Sequence, residues 1–392
     1  MAGDRRRNVL LFAALAFASI GAKVALAGLG HNFDIESWAL FADLVREGKN
    51  VYAETYRNPY GPLWAHLCAA ISFIQTEGLG STSIEGFHRL VAFFLALVDV
   101  AIAVLLFRRY SFIAGLLFVV NPVSLLVTGF HSQFGNLAVL FALAGCLLLD
   151  SPAKKPLFAG LGLGLLGVSL VTKHLLVFLP LWFFLKPGAS RLERLAALSP
   201  LALFGLSFLP YVADEPGLEG VIEHVFLYDS FHLDGFFPRL VSLLVPLSAI
   251  ERLFAWVPVF SGFKFVWMVA MLVTGFAVRG KDRSEQLLVY LAAVLVFSSA
   301  IADQYLAIPL VTCAVYWRRV SLGVYVALSA LYLSASTANV GMLESMASWS
   351  ETVRATGLDR WHPVTALFLF LLLYLFDRRA RRHEEGAPSR GR

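Results

Sequence analysis

The sequence predicts an all-α, polytopic membrane bundle, and three observations carry that prediction. Of 392 residues, 58% are hydrophobic and only 15% charged, with mean hydropathy +0.71; a soluble domain carries about 25% charged residues. The apolar residues gather in runs near the roughly 20 needed to cross a bilayer as a helix. The basic residues stand in short clusters between alternate runs, the distribution expected of cytoplasmic connections. The net charge of +5 therefore reads as membrane orientation and points to no nucleic-acid partner. Cys68, Cys146 and Cys313 are widely spaced, which implies neither a disulfide framework nor a thiolate metal site.

The first apolar run, about 8–30, follows Arg5, Arg6 and Arg7 and is long enough to span, so it reads as a retained helix with its start on the cytoplasmic side. Further spans are expected at about 87–107, 111–130, 134–149, 156–172, 174–186, 195–212, 263–280, 286–302, 304–317, 320–338 and 362–377, twelve in all. The clusters Arg108-Arg109, Lys154-Lys155, Lys186 to Arg194, Arg279 to Arg283, Arg318-Arg319 and Arg378 to Arg382 then share the side of the N-terminus, and both termini are expected inside. One domain is expected over 1–380, with a short polar tail over 381–392. Segment 214–262 reads as one outer segment with partly embedded helices over 238–260, or as one that holds an additional pair of spans, and 214–237, with Gly217, Gly220 and Gly235, reads as a lid.

Between the first two spans lies a long polar interval, 31–86, facing outward. Ile35, Trp38, Phe41, Ala42 and Val45 recur at helical spacing with Asp43, Arg46 and Glu47 off the stripe, which predicts an interfacial helix ended by Gly48. Asn58-Pro59 and Gly61-Pro62 break the chain. The run Leu63 to Gln75 is too short to span and predicts a second interfacial or re-entrant helix. Asp34 and Glu36 stand just beyond the first span, where a carboxylate is poorly tolerated without a use. The other polar residues near membrane level also sort to the outer side: Arg57, Tyr60, His66, His88, Arg89, His131, Gln133, Lys173, His174, Asp229, His232, Asp234, Arg239, Asp303 and Gln304.

This arrangement resembles the GT-C type glycosyltransferases, polytopic enzymes that take sugars from polyprenyl-phosphate donors, and within them the GPI mannosyltransferase I-like proteins and bacterial counterparts. Similarity to the lipid-linked-oligosaccharide glucosyltransferases is fainter. The matching pieces are Asp34-Ile35-Glu36, the Tyr-x-x-x-Tyr-Gly-Pro-Leu segment from Tyr56 to Leu63, and Arg89 opening a span that carries Asp99. After these come Asn121-Pro122, His131-Ser132-Gln133-Phe134, Lys173 between two spans, and Asp303-Gln304-Tyr305. The motifs cover about residues 8–320, and each is short. The first-loop pair is Asp-x-Glu where the family carries Asp-x-Asp, and the His-Glu-Lys of the glucosyltransferases is missing. These departures bear on the substrate more than on the reaction class.

The resemblance implies an inverting hexosyl transfer on the outer or lumenal face, from a polyprenyl-phosphate sugar to a lipid- or glycan-linked acceptor, in a bacterial inner membrane or, in a eukaryote, the endoplasmic reticulum. Asp34, or Glu36 beside it, is the expected general base. Lys173, Arg89, His131, Gln133 and Arg239 are expected around the donor phosphate and sugar, with Arg57, Tyr60, His174, Asp303 and Gln304 as cleft candidates.

Each assignment has a plainer reading. Asp34 suits a helix N-cap, Glu36 a first-turn acid favoured by the helix dipole, and Lys173 an interfacial lysine whose stem lies along apolar surface. Arg89 and Arg239 face the same choice as Lys173. His131 and Gln133 suit the cap of the following helix, and Asp99 a polar contact between helices. Gly162-Leu-Gly164-Leu-Leu-Gly167 matches a dinucleotide fingerprint but lacks a preceding strand, and Gly160 with Gly164 offers small-xxx-small helix packing instead. The nine histidines show no zinc spacing, so neither metal nor cofactor is expected. A transporter or lipid flippase is the main alternative, though no internal repeat stands out; a non-catalytic scaffold subunit is another.

Overall fold

Caps and prolines set where the helices of this chain begin. The computed structural model describes residues 2–153, 155–227, 235–246, 248, 249, 252, 262–340 and 347–385. Among them the secondary structure is helical throughout. In chain order the α-helices are α1 Ala2–Ala27, α2 Phe33–Arg46, α3 Val51–Glu54, α4 Pro62–Phe73, α5 Ile84–Arg109, α6 Phe112–Val119, α7 Pro122–Gly129, α8 Gly135–Leu149, α9 Pro156–Thr172 and α10 Leu179–Phe184. After these come α11 Arg191–Ala197, α12 Ser199–Leu206, α13 Glu215–Val221, α14 Phe236–Ser242, α15 Gly262–Val278, α16 Arg283–Phe297, α17 Leu310–Val315, α18 Val320–Val340, α19 Ala347–Ala355 and α20 Trp361–Glu385. Ser83, Ser111, Asn121 and Ser190 accept first-turn backbone N–H groups at the starts of α5, α6, α7 and α11, which satisfies donors that a helix start otherwise leaves free.

Among the described residues, four helical stretches are long and apolar enough to cross a membrane: Arg6–Ala27, Ile84–Arg109, Arg191–Tyr211 and Val320–Thr337. Two bent pairs bring the number to six. Phe112–Val119 with Pro122–Gly129 bends by 46°, and Pro156–Thr172 with His174–Phe184 by 119°. This is consistent with a membrane protein; the expected count of twelve spans is not confirmed among the described residues. Pro122 opens a new helix where one span was expected over 111–130, and the chain turns sharply at Lys173, between the spans expected at 156–172 and 174–186. The apolar helices Gly135–Leu149, Phe265–Val278, Asp303–Val315 and Trp361–Asp377 are shorter again.

The polar interval folds as its pattern predicts. The stripe Ile35, Trp38, Phe41 and Ala42 is buried, and α2 packs it against α4 through an edge-on contact of Trp38 with Trp64 at 5.2 Å. Gly48 lies just past α2 at φ 70°, the left-handed conformation glycine adopts without a Cβ penalty. The short run after Gly61 is α4, continued by a π-helical turn Ile74–Gly78.

One packing expectation is corrected. Gly160 and Gly164 have open space where a Cβ would stand. The close approach is made by Gly162, whose added Cβ would lie 2.9 Å from the Gly145 carbonyl oxygen of α8, and by Gly167 against Leu203 of α12. The helix turns a different face to its neighbours than the spacing suggested. The expected lid 214–237 lies partly outside the described residues, as do Lys154, Asp229, His232 and Asp234.

Candidate functional site

Asp34 occupies the first turn of α2 but caps nothing. The cap position belongs to Asn32. The Asp34 carboxylate instead accepts a hydrogen bond from Gln133 Nε2 at 2.6 Å and another from Asn32 Nδ2 at 3.3 Å. Asn32 Nδ2 also lies 3.3 Å from His131 Nδ1, and His131 Nε2 lies 3.1 Å from the Thr337 hydroxyl of α18. This geometry assigns the ring proton to Nε2, so that Nδ1 accepts from the amide. Burial pushes the His131 imidazole down from its ordinary pKa, opposed by the charge of Asp303.

The backbone explains how His131 and Gln133 reach the same carboxylate. Between them Ser132 adopts φ 46°, a left-handed conformation that costs a non-glycine residue about 1–2 kcal/mol. The Ser132 hydroxyl donates to the carbonyls of Thr128 and Gly129 at 3.2 and 3.4 Å and so holds the turn. Such strain persists only where the surroundings fix it, and it concentrates at functional sites.

Lys173 approaches from the other side. It terminates α9 and is 94% buried, being 6% exposed. Its ammonium sits over three rings, Phe134 at 4.9 Å, Tyr60 at 5.0 Å and Tyr305 at 5.4 Å. The position depends on Gly61, where an added Cβ would fall 2.0 Å from the Val171 carbonyl oxygen. No side chain larger than hydrogen fits there, so the Tyr60-Gly61-Pro62 segment lies directly on the end of α9. Burial raises the Asp34 carboxyl above its ordinary pKa, and the Lys173 charge, Gln133 and Asn32 all work against that rise. Yet no carboxylate lies within ion-pair distance of the Lys173 ammonium among the described residues.

A small cleft of about 10 Å³, room for a single water, lies beside the lysine, lined by Gln133, Asn136, Lys173, Gln304 and Tyr305 among others. The Oε1 of Gln133 and the Oδ1 of Asn32 are buried without a hydrogen-bond donor. Buried amide oxygens are nearly always satisfied, and among the described residues these two have no protein donor.

The structure thus brings together Asp34, His131, Gln133, Lys173, Tyr60 and Gln304 from segments far apart in sequence. It leaves others out. Glu36 is exposed on another face of α2, because positions two apart on a helix diverge. Arg89 is exposed and packs on Gly28 at the end of α1. Arg239 stacks on Trp361 at 3.7 Å, and Arg57 on Phe33 at 4.1 Å, at the rim. His174 packs against Phe204, and its Nδ1 has no partner. His66 pairs with the Tyr211 hydroxyl at 2.5 Å. His88 is buried 6.5 Å from the His31 ring. Asp303 accepts from the Tyr332 hydroxyl at 2.7 Å and from Ser336, with Arg360 at 3.8 Å, which draws it into a neighbouring cluster.

The sequence reading passed over Asn32, Asn136, Thr337 and Lys23. Lys23, inside the first apolar helix, meets the carboxylate of Asp99 at 2.6 Å. Asp99 also accepts from Ser124 at 2.8 Å and from Thr128 and Asn136 at 2.7 Å each, so the expectation of a helix–helix polar contact holds. A lysine within an apolar helix was itself the available signal, since such a charge needs a partner. No protein-family model, no curated protein and no solved structure matches the chain.

Proposed function

We propose that the chain is a membrane glycosyltransferase that moves a hexose from a polyprenyl-phosphate sugar to a lipid- or glycan-linked acceptor, with inversion. The observation that carries the reading is the electrostatic coupling of Asp34 with Lys173. The carboxylate, held by Gln133 and Asn32, feels the charge of a buried ammonium that forms no ion pair among the described residues and that lines a small cleft.

In this reading Asp34 takes the proton of the acceptor hydroxyl. The oxygen attacks the anomeric carbon from the side opposite the phosphate, and the bond between anomeric carbon and phosphate oxygen breaks. The electron pair leaves with the lipid phosphate, where Lys173 stabilises the growing negative charge in a site that excludes most water. Burial brings the Asp34 pKa nearer the operating pH, which strengthens it as a base. The free oxygens of Asn32 and Gln133 suit donation from sugar hydroxyls. The alternation of basic connections supports an outward-facing site, with the cytoplasm on the side of Arg108, Arg109, Arg318 and Arg319.

A transporter is the second reading, and the buried Lys23–Asp99 pair is what favours it, since intramembrane ionisable residues mark ion paths. The two are separated by incubating the purified protein with a polyprenyl-phosphate hexose and a glycolipid acceptor. Glycosyl transfer that follows donor concentration supports the enzyme; substrate-driven uptake into vesicles without product supports the transporter.

A further inference from the structure

A second polar cluster stands behind the cleft, with Asp303 at its centre. After α16 ends at Phe297 the chain runs without helix to Ala302 and then forms the 3₁₀ turn Asp303–Ala307. Gln304, Tyr305 and Ala307 of this turn line the cleft with Lys173, and the Tyr305 ring lies 5.4 Å from the Lys173 ammonium. A 3₁₀ turn has poorer hydrogen-bond geometry than an α-helix, so its ties to other elements decide where it sits.

Those ties come from α18. Tyr325, Tyr332 and Ser336 recur at spacings of seven and four residues, which places them on one face of the helix. The Tyr325 hydroxyl donates to the Leu306 carbonyl at 2.6 Å, the Tyr332 hydroxyl to Asp303 Oδ1 at 2.7 Å, and the Ser336 hydroxyl to Asp303 Oδ2. Arg360, just before α20, donates to the Ile301 carbonyl at 2.6 Å and lies 3.8 Å from the Asp303 carboxylate. The turn is thereby held near both of its ends. Thr337, the next residue round α18, meets His131 Nε2 at 3.1 Å. One helix thus anchors both the Tyr305 side of the site and the His131 side.

We infer that Asp303 is a positioning residue: through its ties to α18 it fixes Gln304 and Tyr305 against Lys173, the lysine that meets the leaving phosphate. The kinetic half of this inference rests on the glycosyltransferase reading, and the structural half does not. Both carboxylate oxygens of Asp303 are engaged by α18, so the residue acts through the turn and not on the substrate.

The test follows two readouts in the full chain. Fluorotyrosine in place of Tyr305 gives a fluorine resonance that reports the surroundings of the ring and needs no substrate. Donor kinetics with a polyprenyl-phosphate hexose give kcat and KM. Asp303→Ala should move the resonance by more than its linewidth and lower kcat by up to about 10²-fold, the loss that an ångström of misplacement can bring, with a smaller change in KM. Tyr332→Phe/Ser336→Ala, which keeps the carboxylate, should also move the resonance, even if Asp303→Ala folds poorly. Asp303→Asn, whose amide keeps an oxygen for Tyr332 and an N–H for Ser336, should restore most of the rate. A carboxylate acting directly on substrate would not be rescued in this way. Adding Asp303→Ala to Lys173→Ala should cost less than about twofold further, because residues that act through one another are not additive. Asp377→Asn, which breaks the exposed ion pair with Arg319 beside the start of α18, should leave both readouts at the wild-type value. A wild type that transfers no sugar would end the glycosyltransferase reading, and the fluorine readout alone would then decide this inference. It is overturned if the resonance stays put in both Asp303→Ala and Tyr332→Phe/Ser336→Ala, or if Asp377→Asn moves it equally. It is also overturned if Asp303→Asn is as slow as Asp303→Ala, or if the Asp303→Ala and Lys173→Ala losses multiply.

Discussion

Two lysine–carboxylate couples in this molecule use the same chemistry to opposite ends. Lys23 and Asp99 are wholly buried and touch at 2.6 Å, and three further donors fill the remaining capacity of the carboxylate. Nothing is left over to bind. Lys173 and Asp34 sense one another electrostatically without an ion pair. Their neighbours Asn32 and Gln133 keep free acceptors, and the ammonium rests among rings. A buried charge pair holds its place only when its hydrogen bonds are complete. The complete couple therefore reads as a clamp between α1, α5, α7 and α8, and the incomplete one as a site prepared for a ligand. The two are joined, since Asn136 donates to Asp99 and also lines the cleft.

The largest effect should come from breaking the complete couple. Lys23→Met alone leaves the Asp99 charge buried and should cost about 3–5 kcal/mol, read as a lower unfolding temperature and poor recovery in detergent. Lys23→Met/Asp99→Asn, which removes both charges and keeps an oxygen for Ser124 and Thr128, should regain much of that loss. A stable, normally recovered Lys23→Met protein would show that the pair is no clamp.

Lys173→Ala should behave in the reverse way. With the lysine serving a leaving phosphate, turnover should fall by roughly 10²–10³, the usual effect of removing one electrostatic stabiliser, while the unfolding temperature moves little. Near-normal donor kinetics in Lys173→Ala would make it an interfacial lysine.

The pH dependence is a finer probe. Because burial raises the Asp34 pKa, the acid limb of the rate profile should lie above the ordinary carboxylate value. The lysine charge and the Gln133 hydrogen bond both lower that pKa, so Lys173→Ala and Gln133→Ala should each move the limb to higher pH. A limb that stays put in both variants would belong to another group. The linkage to stability has a definite sign. A raised carboxylate favours the protonated folded state, so its contribution is full below pH 3.8 and is lost as pH rises through the folded value. At neutral pH the ionised Asp34 opposes folding.

The smallest effect is expected at Glu36. Exposed and apart from the cluster, Glu36→Gln should change stability by no more than about 0.5 kcal/mol and leave transfer within about twofold, checked by the same assay. A loss comparable to that of an Asp34 variant would move the base to Glu36.

Much of this was legible in the sequence because apolar periodicity and breakers are local. The α2 stripe, Gly48 and the short helix after Gly61 follow from neighbours along the chain. The convergence of Asp34 with Gln133 and Lys173 was legible only as a shared membrane side, because a carboxylate's partners depend on how distant helices pack. Ser132 shows the limit: its left-handed backbone is imposed by its surroundings, and its residue type does not announce it. The count of full-length spans is legible only in part for a related reason. Hydropathy registers apolar length, whereas Pro122 breaks the span expected over 111–130 into two short helices. Gly160 and Gly164 fit a packing motif, yet the face of α9 that meets α8 and α12 carries Gly162 and Gly167.

The most direct test is Asp34→Asn. The cap of α2 is Asn32, so the substitution spares the helix start, and the amide keeps an oxygen for Gln133. The folded protein should unfold at or slightly above the wild-type temperature at neutral pH, since a buried ionised carboxylate is gone. Transfer from a polyprenyl-phosphate hexose should fall by about 10²–10⁴, the span usual for loss of a general base. Transfer at the wild-type rate in a stably folded Asp34→Asn protein would contradict the account.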